Sequence, residues 1–132
     1  MLNNALGKYH EYFYFIFRVL VGLLFFQHGA MKVLGWFGGT ASAAWSLMWV
    51  VGLLEILAGL VIALGFFTRL AALGGVALML IIYFKVHAPQ GLAPIMNKGE
   101  LALLYFAIFL MLLIHGAGKW GLERAMLKRE TF

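Results

Sequence analysis

Six ionisable side chains lie within or beside long apolar stretches of this sequence, and their chemistry needs an explanation. They are His28, Lys32, Glu55, Lys85, His87 and Glu100. A charged group at the centre of a bilayer costs about 2.5–3.5 kcal/mol on insertion scales, so such groups normally face other helices or a wet cavity. A histidine and a carboxylate facing one cavity can exchange protons with a bound headgroup, as a quinone-type site requires. The alternative is a buried ion pair, Glu55 with Lys32 or Lys85, that only fixes the register of the helices.

The spacing of the first two apolar stretches predicts where these groups lie. One helical stripe contains Arg18, Gly22, Phe25, Gly29 and Lys32, with His28 beside it, and a second contains Gly52, Glu55 and Gly59. Such intervals of three and four residues are the period of one helix face. At a rise of about 1.5 Å per residue, His28 lies about 9 Å and Glu55 roughly 10–15 Å below the outer ends of their helices. The sequence therefore predicts a polar cluster in the outer half of a helix bundle.

Two arginines and one acid have other candidate roles. Arg18 lies roughly 9 Å inside the opposite boundary by the same rise, at a depth that no carboxylate shares. Three roles are open for Arg18: contact with lipid phosphate, donation to helix-terminal carbonyls, or binding of an anionic ligand. Arg69, in a predicted hairpin, is a second candidate for an anion or lipid-phosphate contact. Glu100 follows Asn97 with the spacing of a capping box, so it can simply close the start of a helix.

The residues that are missing exclude several kinds of chemistry. The chain has no cysteine, which removes disulfides, cysteine-ligated iron–sulfur clusters, thiolate metal sites and a cysteine nucleophile. No phosphate-binding glycine loop, zinc-protease motif or nucleophile elbow occurs. Haem is not expected, because His28 and His87 are the only pair that could face each other, and His87 lies two residues before Pro89. The sequence predicts no metal site, quinone is the one cofactor that it suggests, and it assigns no catalytic activity.

The elements that position these residues are four long apolar segments. They cover about 12–34, 45–67, 70–88 and 100–118, and each has about the 17–25 residues that a helix needs to cross a bilayer. The chain is 64% hydrophobic and 11% charged, with a mean hydropathy of +0.97, whereas soluble domains are nearer half apolar and a quarter charged. We therefore expect an all-α fold, a four-transmembrane-helix bundle that forms a single domain over residues 1–132.

The basic residues predict how the bundle is oriented. With four spans, the two termini and the Arg69 hairpin share one side of the membrane. That side carries six basic residues against three on the other, with the embedded Arg18 left out of the count. The richer side is normally cytoplasmic, so both termini are expected there. The net charge of +5 lies beside apolar spans, which indicates attraction to anionic lipid headgroups rather than to nucleic acid.

The order of these residues resembles the DoxX family of small four-helix membrane proteins. The resemblance covers roughly residues 17–122, in the elements Arg18-x3-Gly22, His28-Gly29-x2-Lys32, Glu55-x3-Gly59-x5-Gly65-x2-Thr68-Arg69-x2-Ala72, and Glu100 before Gly116 and Gly118. It implies a multi-pass protein of a prokaryotic cytoplasmic membrane. It also implies an association with thiosulfate- or quinone-linked oxidoreductase complexes, or with redox-stress assemblies, in a family whose functions are mixed.

Three functions follow from the residues and the resemblance together. The first is a DoxX-like membrane subunit that supports a redox complex and offers a quinone-type site in the outer half of the bundle. It would not transfer electrons alone, because no metal or flavin motif is present. The second is a small proton-coupled transporter or conduit, and the third is a non-catalytic membrane scaffold. The expected partners are the lipid bilayer, other membrane or redox-complex subunits, and a second copy of the chain.

Overall fold

The computed structural model describes residues 2–130, with side chains from Asn4 onward, and these residues form seven α-helices and no strand. The helices are α1 (Leu2–Gly7), α2 (His10–Leu34), α3 (Leu47–Leu64), α4 (Thr68–Ile82), α5 (Pro94–Asn97), α6 (Glu100–His115) and α7 (Leu122–Leu127). A π-helical turn (Tyr83–His87) and a 3-10 turn (Ala88–Gln90) continue α4. The all-α prediction is confirmed.

Three of the helices are long and apolar enough to cross a membrane. They are α2 with 25 residues, α3 with 18, and α4 with its continuation, which together have 23. The fourth apolar helix, α6, has 16 residues and is therefore about 24 Å long. It ends at His115 rather than at residue 118, because Gly116 and Gly118 both adopt positive φ angles of 77° and turn the chain away.

Helices α2 and α3 pack antiparallel through two pairs of glycines. Gly22 faces Gly59 and Gly29 faces Gly52, so each helix has its two glycines seven residues apart. A Cβ added at Gly59 would lie 2.5 Å from the main-chain nitrogen of Phe26 and 2.6 Å from the carbonyl oxygen of Gly22. Only glycine allows so close an approach of two backbones, and small residues serve this purpose in membrane bundles.

The centre of the bundle is a layer of aromatic side chains. Phe25 of α2 packs against Tyr105 and Phe109 of α6, with ring centroids 5.3 and 4.9 Å apart. Gly75 of α4 makes room for Phe109, since a Cβ there would lie 2.6 Å from its ring. Many large apolar side chains remain exposed on the outside of the helices, as expected of a surface that contacts lipid.

Hydrogen bonds from main-chain N–H groups to carboxylates close one end of the bundle. At this end, which we call the terminal end, α2 begins, α3 turns into α4, and residues 116–130 fold over the helices. Glu11 accepts from the Lys119 nitrogen at 3.0 Å, Glu123 from the Phe67 nitrogen at 3.1 Å, and Glu130 from the Ala117 nitrogen at 2.7 Å. These three bonds, the terminal clasp, satisfy main-chain donors that lie outside regular helix. The opposite end, with the α2–α3 and α4–α6 connections, is the loop end.

Replacement of Gly59 by alanine is expected to destabilise the protein, because the new Cβ meets main-chain atoms of α2 that cannot rotate away. Overpacking of this kind costs about 1–3 kcal/mol. The matched control is Gly74→Ala in α4, where a Cβ has no atom within 4 Å and alanine favours the helix by about 1 kcal/mol. Thermal unfolding in detergent should show a lower Tm for Gly59→Ala alone. Equal shifts in the two variants would contradict the close packing of α2 on α3.

Candidate functional site

Lys32 and Glu55 form an ion pair between α2 and α3. The Lys32 Nζ lies 2.7 Å from Oε1 and 2.6 Å from Oε2 of Glu55. Glu55 lies between Gly52 and Gly59 on the face that packs against α2, and it is only 3% exposed. The glycine contacts bring the two backbones so close that the short carboxylate reaches the ammonium of the neighbouring helix. One cation therefore serves both oxygens of the buried carboxylate.

The pair faces a small cavity at the loop end, which we call the polar cavity. Its volume is about 180 Å³. All four long helices contribute to its wall, together with the loop before α6: Phe25, His28, Lys32, Glu55, Met79, Ile82, His87, Lys98, Leu101, Ala102 and Tyr105. Of the six predicted cluster residues, the structure thus brings His28, Lys32, Glu55 and His87 together.

The two histidines of the polar cavity are held differently. His28 is half-buried and lies edge-on to the Tyr105 ring, with centroids 5.8 Å apart. His87 ends the π-helical turn, and its Nδ1 lies 3.1 Å from the Asn97 carbonyl oxygen. Because a carbonyl oxygen only accepts, Nδ1 of His87 carries the proton in this contact. Turns of the π type occur frequently at functional sites.

Two predicted cluster residues lie outside the polar cavity. Lys85 is exposed on the π-helical turn, and Glu100 is exposed at the first position of α6. The capping box predicted for Glu100 is also not formed as expected, because Gly99, not Asn97, is the N-cap residue. Asn97 is instead buried, and its side chain accepts from the Gly99 nitrogen at 2.8 Å and donates to the Gly91 carbonyl at 3.0 Å. Its role is to fix the loop over the cavity.

Two polar residues of the cavity wall, Lys98 and Tyr105, were not among the predicted cluster residues. Tyr105 belongs to the buried face of α6, which also contains Ala102, Phe109 and Leu112, and that helical period was available in the sequence. Within residues 4–130, the Tyr105 hydroxyl has no hydrogen-bond partner. Lys98 adopts a positive φ of 61° in the loop, a conformation that no sequence pattern indicated.

A second, larger recess lies beside the polar cavity. This apolar groove has a volume of about 420 Å³ and lies between α3 and α4, lined by Phe25, Leu54, Leu57, Ala58, Val61, Phe67, Leu70, Ala71, Gly74, Gly75 and Leu78. Leu57 and Leu70 are more than half exposed at the bundle surface, at 54% and 57%, so the groove faces lipid. Phe25 lines both the groove and the polar cavity, so the two spaces are adjacent at this residue.

The arginines at the terminal end donate to main-chain carbonyls. Arg18 is 1% exposed, and its guanidinium donates to the carbonyl oxygens of Ile62 at 3.3 Å and Trp120 at 3.2 Å. Arg69 donates to the Ile114 carbonyl at 3.3 Å. Ile62 and Ile114 lie in the last turns of α3 and α6, where carbonyls lack the regular bond from four residues later. The Ile62 carbonyl also accepts from the Gly65 nitrogen at 3.1 Å, in the cap of α3. Of the three alternatives for Arg18, the geometry therefore favours donation to helix-terminal carbonyls.

Lys32→Met is expected to destabilise the protein by about 3–5 kcal/mol, because it leaves a buried carboxylate without its cation. The double variant Lys32→Met/Glu55→Leu removes both charges and should recover most of that loss, since replacing a whole buried pair is often close to neutral. A double-mutant cycle on thermal stability in detergent measures this coupling. If the losses of the two single variants simply add in the double variant, the pair is not coupled.

Comparisons with known proteins agree with this architecture. The chain is 37% identical over 133 residues to a protein of Haemophilus influenzae described as uncharacterized, and the match covers 96% of this chain and 99% of that one. No solved structure matches the chain. The DoxX family matches residues 13–88, which contain most of α2, all of α3 and α4, and the Lys32–Glu55 pair. This chain therefore belongs to the DoxX family of membrane proteins.

Proposed function

We propose that this protein is a membrane subunit that supports a quinone-linked redox complex by holding a quinone. The quinone headgroup would occupy the polar cavity, and its apolar tail would occupy the apolar groove. The observation that carries this proposal is the position of Phe25, which lines both spaces. A polar recess and a lipid-facing groove on the two sides of one side chain match the two parts of an amphipathic ligand.

The polar cavity has the size and the donors that a quinone ring needs. A cavity of about 150 Å³ can accommodate a benzene ring, and the polar cavity measures about 180 Å³. Quinone carbonyls accept hydrogen bonds, and the wall offers the Tyr105 hydroxyl, the His28 imidazole and the Lys98 ammonium. Glu55 already pairs with Lys32, and within residues 4–130 no salt bridge involves Lys98, an exposed lysine at the edge of the cavity. The positive charge of Lys98 favours a reduced, anionic form of the ring.

The apolar groove fits the tail of the same ligand. Its wall consists of aliphatic, aromatic and glycine residues from α2, α3 and α4, and its volume lies within the range of about 300–1,000 Å³ typical of ligand pockets. Helices α3 and α4 pack less closely on each other than α2 packs on α3. A tail lying in the groove would fill the space between them.

The protein would position the quinone, and a partner subunit would supply the electrons. The chain has no cysteine for an iron–sulfur cluster and no nucleotide-binding glycine motif. In this proposal, His28 and the Lys32–Glu55 pair hold or move protons at the quinone oxygens, since quinone reduction consumes protons as well as electrons.

A proton-coupled conduit has less support than a quinone site. A conduit needs polar groups along the whole length of the bundle. A further recess lies at the terminal end, where Arg18 and Trp120 contribute to its wall. Among the described residues, it shares no lining residue with the polar cavity. The aromatic layer of Phe25, Tyr105 and Phe109 lies between them.

A scaffold without a ligand is the second candidate function. The observation that favours it is the complete pairing of Glu55, both of whose oxygens lie within 2.7 Å of the Lys32 ammonium. In this alternative, the pair only aligns α2 and α3, and the polar cavity has no occupant. The quinone-dependent stability of the wild type and of Glu55→Gln separates the two candidates.

We infer four membrane spans with both termini in the cytoplasm of a prokaryotic cell. The terminal end carries the chain ends and most of the basic residues, which supports its cytoplasmic placement. The fourth span would be α6, whose length of about 24 Å is less than a hydrocarbon core of about 30 Å. The residues after His115 and before Glu100 would then lie in the headgroup regions.

Reporter fusions test this topology. A reporter after residue 130 is expected to give a cytoplasmic signal, and the same reporter within residues 91–96 is expected to give a signal from the opposite side. The reason is that α6 separates these two positions. Signals from one side for both fusions would show that α6 does not cross the membrane.

The quinone proposal predicts a ligand-dependent stability that requires Glu55. A short-chain ubiquinone analogue at about 100 times its Kd should stabilise the wild type by about 2.7 kcal/mol. Glu55→Gln should reduce this stabilisation strongly, because it changes the charge and proton-holding capacity of the cavity wall. The matched control is Glu100→Gln, an exposed glutamate outside the polar cavity, which should respond like the wild type. Thermal unfolding in detergent gives the readout.

A variant of the apolar groove tests whether the quinone tail binds there. Ala58 lines the apolar groove and not the polar cavity, so Ala58→Phe narrows the groove alone. It should weaken the binding of a quinone with a decyl tail and leave the affinity for a quinone without a tail unchanged. Lys32→Met should lose stability in either case, because the ion pair is broken. A wild type that shows no shift with either quinone would therefore contradict the quinone site and favour the scaffold.

A further inference from the structure

We propose that His10, Glu11 and His115 form a binding site for a divalent transition-metal ion at the terminal end of the bundle. Each residue offers one ligand atom, and these atoms all lie within 4.8 Å of one another. This set of two imidazoles and one carboxylate suits zinc, iron, nickel or copper in the divalent state, and we take Zn²⁺ as the probe.

The site joins two helices that are far apart in sequence. His10 and Glu11 are the first two residues of α2, and His115 is the last residue of α6. A metal bound by all three would tie the start of α2 to the end of α6. The partial negative charge at the C-terminus of α6 favours a nearby cation. The N-terminus of α2 carries a partial positive charge, which the carboxylate of Glu11 offsets.

The ligand atoms are available for a metal. The carboxylate of Glu11 uses Oε2 to accept from the Lys119 nitrogen at 3.0 Å, so Oε1 can bind an ion while the terminal clasp stays intact. Within residues 4–130, no hydrogen bond engages an imidazole nitrogen of His10 or His115. An imidazole without a hydrogen-bond partner can turn towards a metal at little cost.

The geometry requires only a small adjustment. Ligand atoms at about 2.0–2.1 Å from a tetrahedral zinc lie about 3.4 Å from one another, against a largest separation of 4.8 Å here. His10 is exposed, so rotation of its side chain can close the difference without moving a helix. Three protein ligands leave one position for water or for a group from outside the chain.

Tyr14 supports both imidazoles from the next turn of α2. Its ring lies 3.9 Å from the His115 ring and 6.2 Å from the His10 ring, centroid to centroid. Its hydroxyl donates to the Gly116 carbonyl at 2.5 Å, which fixes the main chain directly after His115. A metal site needs such outer contacts to orient its ligands.

This site is separate from the polar cavity. His10 and His28 are 18 residues apart on α2, which corresponds to about 27 Å along the helix. Metal binding at the terminal end therefore does not depend on whether a quinone binds in the polar cavity.

Zinc binding to the intact chain tests the inference. The protein is purified through an affinity tag without histidine, treated with a chelator, and titrated with Zn²⁺ in detergent by calorimetry. We expect one Zn²⁺ per chain. His10→Ala and His115→Gln should each weaken zinc binding by at least about tenfold, because even the loss of a residue that only orients a metal ligand has an effect of about that size. His10 is exposed, so its replacement should leave the fold intact. His28→Gln, in the polar cavity, is the control and should bind Zn²⁺ as the wild type does.

X-ray absorption at the zinc edge gives an independent readout. It should show nitrogen and oxygen ligands at about 2.0–2.1 Å, including the scattering of two imidazoles. The absence of saturable zinc binding would overturn the proposal. So would zinc binding that is unchanged in both His10→Ala and His115→Gln, because the metal would then lie elsewhere.

Discussion

The close antiparallel contact of α2 and α3 is the constraint on which the rest of the structure depends. Lipid offers no hydrophobic force to press helices together, so packing and polar contacts must do so. The glycine pairs Gly22–Gly59 and Gly29–Gly52 bring the backbones into contact. A buried carboxylate has a short reach, and only at this separation does Glu55 meet Lys32 at 2.6–2.7 Å. The polar cavity exists because that contact places a charged pair beside the bundle interior.

The glutamates have different roles at the terminal end and at the loop end of the bundle. Three of the five carboxylates, in Glu11, Glu123 and Glu130, accept main-chain N–H groups at the terminal end. Backbone outside a helix is costly near lipid unless it is hydrogen-bonded, so these acids allow residues 116–130 to fold over the helices. Glu55, by contrast, is buried inside the bundle, where it lines the polar cavity and pairs with the Lys32 ammonium. That difference makes it the acid with a candidate chemical role.

Helical period made the interior of α2 and α3 predictable, whereas the ends of the helices were not. The stripes through Lys32 and Glu55 follow from spacing alone. Lys85 and His87 are two residues apart, so they do not share a helix face, and only His87 lines the polar cavity. The π-helical turn that contains both residues has no signal in the sequence period. The terminal clasp was missed as well. Its bonds join residues between 13 and 108 positions apart, and no local pattern encodes such partners.

The bundle consists of two helix pairs, and this division explains where a ligand has room. Helices α2 and α3 are held by glycines, and α4 and α6 by the fit of Phe109 against Gly75. Between α3 and α4 the packing is looser, so the apolar groove opens there. The polar cavity takes walls from both pairs, and Phe25 lies where the two spaces meet. A ligand with a polar ring and an apolar tail would contact both pairs at once, and its binding would therefore add contacts between α3 and α4, where the packing is looser than within either pair.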